Sequence, residues 1–234
     1  APARSQQTAH TGGPVMDEFE GKTAVVTGAA SGIGKALAVK AERLGVQFLQ
    51  RSVEKLTPSA EGEWYIYTDL GSVAANKVVV AMGAWSAQLM ADLGVNAPLE
   101  AERGYHLVFK NPGVTLNNAI MNVEQKFVIS SMNAGVRCAG TAEFAGITAA
   151  PDYRRARVFG RLAKRMFPDL NVDDFDEWMG PRPSTPDSVP YLGGVPGFPN
   201  LFAAYGHGHT GMTMGPQTGA VSYTHLTLPT NREV

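Results

Sequence analysis

The chain has 234 residues, of which 44% are hydrophobic and 18% charged, and its formal net charge is -1. This length suits one domain or two small ones, and the near-neutral charge provides no long-range attraction to nucleic acid or an anionic membrane. No apolar run approaches the roughly 18 residues that a membrane-spanning helix needs. The single cysteine, Cys138, excludes an internal disulfide and suits a reducing compartment. We therefore expect a cytoplasmic protein without a nucleic-acid partner or a transmembrane segment.

The first 40 residues contain a glycine-rich turn. Residues 1–18 have no repeating apolar pattern, so we expect a disordered leader, with Met16 as a candidate start. Residues 19–40 predict a strand over 23–26, a turn of spacing T-G-x-x-x-G-I-G and a helix. The residues predicted to line a dinucleotide there are Gly28, Gly32, Ile33 and Gly34. This turn resembles the nicotinamide-cofactor turn of the short-chain dehydrogenase/reductase family, whose Tyr-x-x-x-Lys pair for proton exchange does not occur in the sequence.

Short strands and a small-residue turn are predicted over residues 41–98. Val46 and Phe48 share one face of a strand, residues 64–68 predict a hairpin strand, and residues 77–81 predict a fully buried strand. A helix over 86–93 follows. Between the buried strand and this helix lie Gly83, Ala84 and Trp85. Small residues there would let the backbone approach a cofactor; a plain tight turn is the alternative.

Residues 99–145 alternate strand-like runs with turns, which predicts an antiparallel sheet. The predicted strands cover residues 105–110, 119–123, 126–131 and 136–139. Beyond them, Pro151 and Asp152 open a segment whose apolar residues recur at helical spacing up to Pro168. The sequence therefore predicts a helix after the sheet.

Arg182 is the first candidate for substrate binding. It lies between two prolines and near Trp178, in a segment that predicts rigid turns. A guanidinium positioned in this way suits bidentate binding of a carboxylate. The alternative is an ordinary surface ion pair with Asp187.

A second glycine-rich turn follows a predicted strand over residues 201–204 and precedes a predicted helix that reaches Ala220. Such a turn directs N–H donors and the positive end of the helix dipole towards a bound group, for which the edge of a flavin ring is suitable. The predicted flavin contacts are Gly206, His207, Gly208, His209, Thr210, Gly211 and Met212. The two histidines could instead hold a metal, but only Asp187 and His106 are available as further ligands, so we expect none.

Residues from about 41 to 220 resemble the C-terminal part of FAD-dependent amino-acid oxidoreductases, a family that includes the D-amino-acid dehydrogenase small subunit and glycine oxidase. The matching strings are VVVAMGAWS, GYHLVF, RCAGTAEFAG, RPSTPDS and NLFAAYGHGHTGMTMGP. The resemblance implies an α/β fold in which an antiparallel-sheet substrate domain interrupts a partial, Rossmann-like FAD-binding domain. The FAD-binding parts would be residues 41–98 and 179–220, and the substrate domain residues 99–178.

The same resemblance implies the roles of the candidate residues. Arg182 would bind the substrate carboxylate, Tyr105 and His106 would face the substrate pocket, and residues 83–85 and 206–212 would lie beside the flavin. The implied reaction is hydride transfer from a D-amino acid to FAD, followed by hydrolysis of the imine to a 2-oxo acid and ammonia. Oxygen and a membrane quinone both stay open as electron acceptors, and a quinone would bring the protein to the cytoplasmic face of a membrane.

The two ends of the chain depart from this family. The expected N-terminal phosphate turn and acid-ended second strand are replaced by the short-chain-dehydrogenase-like residues 19–40. At the other end, residues 221–234 lack the periodicity that would continue the helix, and their codons can be written to resemble a sequencing adapter. We therefore expect a chimeric or truncated flavoenzyme with a non-native tail. The alternatives are a nicotinamide-dependent short-chain reductase and an inactive, cofactor-free globular fragment.

Overall fold

The computed structural model describes the backbone of residues 23–25 and 39–227 and the side chains of residues 39–224. The predicted leader and the predicted dinucleotide turn lie outside these described residues. The chain divides into two compact units, one of residues 1–54 and 67–72 and the other of residues 55–66 and 73–234.

The described elements alternate strands with a few helices. In chain order the strands are β1 (Thr23–Val25), β2 (Gln47–Leu49), β3 (Val53–Pro58), β4 (Trp64–Thr68), β5 (Gly71–Ala75), β6 (Val78–Val80), β7 (Glu100–Phe109), β8 (Ile120–Asn122), β9 (Phe127–Met132), β10 (Gly135–Phe144), β11 (Phe175–Ser184), β12 (Tyr191–Gly194) and β13 (Leu201–Tyr205). The helices are α1 (described over 39–43), α2 (Ser86–Ala91), α3 (Arg154–Met166) and α4 (Gly211–Thr227).

The first unit contains a parallel strand pair. β1 pairs in parallel with β2, and α1 lies between them in the chain, as parallel strands require a crossover connection. After α1 the chain turns at Gly45, whose φ of 87° is a conformation that favours glycine. The predicted strands at residues 23–26 and after Gly45 are thus confirmed.

Two three-stranded sheets follow along the chain, in the orders β3-β4-β5 and β12-β13-β6. In β4 the side chains alternate between buried and exposed, because successive residues of a strand face opposite sides. In the second sheet β13 pairs in parallel with β6 and antiparallel with β12. β6 was expected to be fully buried, but only Val80 is buried and Val79 is 37% exposed. The expectation was wrong because the two side chains point to opposite faces of the strand.

The second unit is organised around a five-stranded sheet of order β11-β7-β10-β9-β8. Every neighbouring pair in it is antiparallel, as the sequence predicted. Tyr105, Leu107 and Phe109 point from strand β7, which lies between β11 and β10, into the hydrophobic core. Helix α3 covers this face through Ala156, Phe159 and Ala163, which repeat at helical spacing.

Cys138 is completely buried in that core. Burial raises the pKa of its thiol to about 12, because a thiolate is costly in apolar surroundings. The thiol therefore stays protonated at neutral pH and packs as a small apolar side chain.

The segment around Arg182 forms a strand rather than the predicted rigid turns. Residues 175–184 form β11, which pairs with β7 along its whole length. Pro181 and Pro183 fit because β11 is an edge strand, where a missing N–H group can face away from the neighbouring strand. Prolines were therefore a misleading turn signal here.

Helix α4 continues to Thr227, seven residues past the predicted end at Ala220. The helix continues although residues 221–227 lack a clear amphipathic pattern. These residues include neither glycine nor proline, and each added residue extends the backbone hydrogen bonding of the helix. The proposed origin of the tail stays a prediction. Over the described part of the chain, no helix is long and apolar enough to cross a membrane.

Candidate functional site

One face of the five-stranded sheet is lined by polar side chains. Residues of β7 alternate between the core face, which α3 covers, and the opposite face, where Glu102 and His106 lie. Residues that are paired across neighbouring strands share a face of the sheet. In β11, Arg182 is paired with Glu102 and Trp178 is paired with His106, so these two side chains lie on the same face. On the other side of β7, Arg137 is paired with Val108. We call this set of side chains the polar face.

Arg182 lies flat against the polar face. A Cβ atom added at Gly104 would clash with Nη2 of Arg182, so the absence of a side chain at Gly104 makes room for the guanidinium. Nη1 of Arg182 lies 3.5 Å from Oε1 of Glu102. The surface ion pair with Asp187, which was the alternative, is not formed: Asp187 instead accepts a hydrogen bond from the backbone N–H of Val189.

Glu102 connects Arg182 to the glycine-rich turn. It accepts hydrogen bonds from Oγ of Ser184 at 2.9 Å and from Nε2 of His209 at 2.7 Å. Burial acts to raise the pKa of Glu102, but these hydrogen bonds and the charges of His209 and Arg182 outweigh it and lower the pKa. Glu102 is therefore an anion that holds its neighbours in place.

A cavity of about 770 Å³ lies beside this cluster. It is lined by Glu102 and Ser184 and by residues 206–210 of the turn. The structure thus brings five of the seven predicted flavin contacts to one cavity. Gly211 and Met212 begin helix α4 outside the cavity lining, and Met212 is 64% exposed.

The glycine-rich turn depends on two positive φ angles, of 92° at Gly206 and 51° at Gly208. A Cβ atom at Gly206 would lie 2.8 Å from Cγ2 of Thr185, so both conformation and space require glycine. The backbone N–H of Gly208 donates to the carbonyl of Pro183 at 2.8 Å. Because Pro183 belongs to β11, the turn is fixed to the strand that carries Arg182.

His207 and the other small-residue turn lie beside these elements. Nε2 of His207 is 2.8 Å from Oγ1 of Thr218, and burial lowers the pKa of His207, so its ring is neutral at physiological pH. Gly83–Trp85 forms a single 3-10 turn that contacts β11. In that turn Ala84 is buried and Trp85 is 51% exposed.

His106 lies on the polar face, as an active-site candidate would. Its ring stacks on Trp178 with centroids 4.8 Å apart, and its Nδ1 is 3.3 Å from Nη2 of Arg137. Arginine can only donate, so Nδ1 accepts and the ring proton is on Nε2. Burial, followed by the charge of Arg137, lowers the pKa of His106 to about 4.

Tyr105 lies on the other face of β7, in the core, and is 1% exposed. Its hydroxyl donates to Oε2 of Glu143 at 2.5 Å and accepts from Nη2 of Arg103 and the N–H of Asp152. Burial and the hydrogen bond to Glu143 raise the pKa of Tyr105. A role for Tyr105 in a substrate pocket stays a prediction.

Glu102, Ser184 and Arg137 are residues of this region that the sequence analysis did not select. Alternation along E-A-E-R-G-Y-H could have placed Glu102 and His106 on one face. No local signal relates Arg137 to them, because its position depends on how β10 pairs with β7. Within the described residues, no three His, Cys, Asp or Glu side chains are grouped as metal ligands would be.

The pKa of His106 leads to a pH prediction. Its folded value, about 4, lies below the ordinary value of 6.5, so between these pH values the unfolded chain binds more protons. His106 therefore makes the folded chain less stable as the pH falls from 6.5 to 4. We expect NMR titration of its ring to show a midpoint near pH 4, and Arg137→Gln to raise that midpoint by removing a like charge. An unshifted midpoint near 6.5 would contradict the geometry.

Comparison with known proteins identifies the family. A family model described as FAD dependent oxidoreductase matches residues 30–222. The match begins before residue 41, where the flavoenzyme resemblance was expected to start, and it includes part of the glycine-rich segment at 19–40.

The chain is 37% identical over 188 residues to a D-amino-acid oxidase of Bradyrhizobium diazoefficiens, covering 79% of this chain and 45% of that protein. It is 35% identical to a D-amino acid dehydrogenase of Paramagnetospirillum magneticum, covering 83% and 47%. The crystal structure of glycine oxidase from Geobacillus kaustophilus is similar, with a TM-score of 0.70 and 25% identity over 82% of this chain and 52% of that one. The chain thus spans about half the length of the curated relatives it matches, and the α/β flavoenzyme fold is confirmed. The chain belongs to the FAD dependent oxidoreductase family.

Proposed function

We propose that this chain provides the substrate-binding sheet and the flavin-ring turn of an FAD-dependent oxidoreductase that converts D-amino acids to 2-oxo acids. The observation that supports this most strongly is the placement of Arg182. Its guanidinium lies on Gly104 at the polar face, and Glu102 connects it to the cavity lined by residues 206–210. The names of the two curated relatives supply the substrate class.

The residues around the cavity suit a flavin ring. Gly206 and Gly208 keep the backbone of the turn free of side chains, and the first-turn N–H groups of α4 have no partner within the helix. These groups, with the positive end of the helix dipole, suit an electron-rich ring edge. The buried Oγ1 of Thr185 next to Gly206 has no hydrogen-bond partner among the described residues, so it is free for a polar ligand atom. We infer that residues 206–212, with Gly83–Trp85, would hold the ring.

When bound, FAD supplies the acceptor for the hydride that leaves the substrate α-carbon. The residues of the chain orient the substrate. Arg182 binds the carboxylate through paired N–H donors, and its ion pair with Glu102 holds the guanidinium in place. Because Glu102 is ionised, it neutralises part of the positive charge and does not supply a proton. The product imine is hydrolysed by water to the 2-oxo acid and ammonia.

The experiment that tests this proposal is flavin retention. We expect the chain, expressed and purified with added FAD, to retain one flavin per chain after gel filtration. Gly206→Val should weaken FAD binding by about tenfold or more, because it adds a side chain against Thr185 at a positive φ.

The matched control is Gly194→Ala, where a Cβ would meet no atom within 4 Å. It should bind FAD as the unchanged chain does. A folded chain, with a cooperative urea transition, that retains no flavin would contradict the proposal and favour the cofactor-free fragment.

A further inference from the structure

We propose that Arg137 forms a second anion-binding position on the polar face, beside Arg182, and that the enzyme's preferred substrates are amino acids with an acidic side chain. This inference rests on the proposed function, because it takes Arg182 as the residue that binds the α-carboxylate. It adds the recognition of the side chain, for which Arg137 is the specificity-determining residue.

Arg137 is half-buried, and among the described residues it has no counter-ion. Its Nη2 atom contacts Nδ1 of His106, and no carboxylate of the described residues lies within ion-pair distance of it. The neutral ring of His106 accepts a hydrogen bond but contributes no negative charge. A partly desolvated guanidinium without a counter-ion is unfavourable, so this position favours an anion supplied from outside the chain.

Arg137 and Arg182 approach each other along the polar face. Arg182 starts opposite Glu102 and its guanidinium lies over Gly104, while Arg137 starts opposite Val108 and reaches His106. Positions 104 and 106 of one strand are about 7 Å apart. The proximity is consistent with the pKa of Arg137, which is lowered by burial and then by the positive charge of Arg182. Glu102, which contacts Arg182 and His209, only partly balances this charge.

The placement of the two guanidiniums, one over Gly104 and the other at His106, favours two anionic groups over one. The two oxygens of a carboxylate point the same way, so one carboxylate makes a bidentate bond with a single guanidinium. Two carboxylates joined by a short aliphatic chain can instead engage both arginines.

A ligand can reach the polar face from solvent. Gly104 and Gly180 are paired across β7 and β11, and the absence of their Cβ atoms lets the guanidinium of Arg182 and the indole of Trp178 lie close against the sheet. The side chain of Arg182 is still 30% exposed, so its guanidinium is open to an anion. Trp178, which stacks on His106, is 51% exposed and forms an apolar wall for the aliphatic part of the substrate.

The test compares D-glutamate with its uncharged amide, D-glutamine, by calorimetric binding to the FAD-loaded chain whose flavin has first been reduced with dithionite, so that neither ligand is oxidised. We expect D-glutamate to bind at least about tenfold more tightly, the effect of one additional charge-assisted contact. Arg137→Gln should remove this preference, because it should weaken the binding of D-glutamate about tenfold and leave the binding of D-glutamine unchanged. Arg137→Lys should keep part of the preference because it keeps the charge. Arg161→Gln, an exposed substitution on α3, is the matched control and should change neither ligand.

Each other outcome counts against one of the two proposals. The inference about Arg137 is wrong if Arg137→Gln weakens the binding of both ligands equally or changes the binding of neither. It is also wrong if the unchanged chain binds D-glutamate no more tightly than D-glutamine. Arg182→Gln should weaken both ligands, because both carry the α-carboxylate. If it weakens neither, the proposed function itself is wrong, so the two failures can be distinguished. Because binding is measured, the result does not depend on turnover.

Discussion

Replacing Arg182 with glutamine is expected to raise the apparent KM for D-alanine about 10- to 100-fold, with a smaller change in kcat. A charge-assisted hydrogen bond contributes about 1.5–3 kcal/mol, and glutamine cannot reproduce the paired donors of the guanidinium. D-alanine has no side-chain anion, so the measurement isolates binding of the α-carboxylate. Steady-state oxidation by the FAD-loaded chain is the measurement.

The matched control for this prediction is Asp187→Asn. Asp187 was the alternative partner for Arg182, but it caps a local turn through Val189 and does not pair with the guanidinium. We expect its KM to match that of the unchanged chain. An Arg182→Gln enzyme with an unchanged KM would show that Arg182 does not bind the substrate.

Glu143→Gln is expected to lower the free energy of unfolding by about 3 kcal/mol. Oε2 of Glu143 lies 3.3 Å from Nε of Arg103, whose side chain is 1% exposed, and it accepts the hydroxyl of Tyr105. Oε1 accepts from Nε of Arg155, next to the start of α3. The substitution leaves the buried guanidinium without its counter-ion, and a pair broken in this way costs several kcal/mol. Urea-induced unfolding, followed by circular dichroism, measures the loss.

The control is Asp176→Asn at the exposed ion pair with Lys110. Pairs at the protein surface contribute at most about 1 kcal/mol, so the urea midpoint should move little. The interpretation of Glu143 as the counter-ion of a buried arginine would be wrong if the two variants lost equal stability.

Several elements could be predicted from the sequence because their signals are local. Alternating apolar residues indicated the second half of β7 and strands β9 and β10, and helical spacing indicated α3. The glycine pattern after β13 indicated a turn that leads into a helix. The family resemblance also depended on short strings in a fixed order, which is why the match could be recognised before any geometry was known. Prolines at 181 and 183 gave the wrong local signal, since an edge strand tolerates them.

The arrangement of side chains around Glu102 could not be predicted from local sequence, because its residues are far apart in the chain. Arg182 is 80 residues from Glu102, and His209 is 107 residues from it. Only the antiparallel register between β7 and β11 brings Arg182 beside Glu102, and register depends on which strands pair and at what offset. The sequence alone therefore determined the family, the main strands and the glycine-rich turn.

The tertiary structure decided which side of β7 is buried in the core and which side carries the remaining candidate residues. Alternation places Tyr105 and His106 on opposite faces of the strand, yet both were candidates for the pocket on equal terms. Helix α3 packs on the Tyr105 face and buries it in the core, which leaves His106, Arg137 and Arg182 on the other face. Packing between distant elements made this choice, because period-two alternation distinguishes two faces without saying which one a helix will cover.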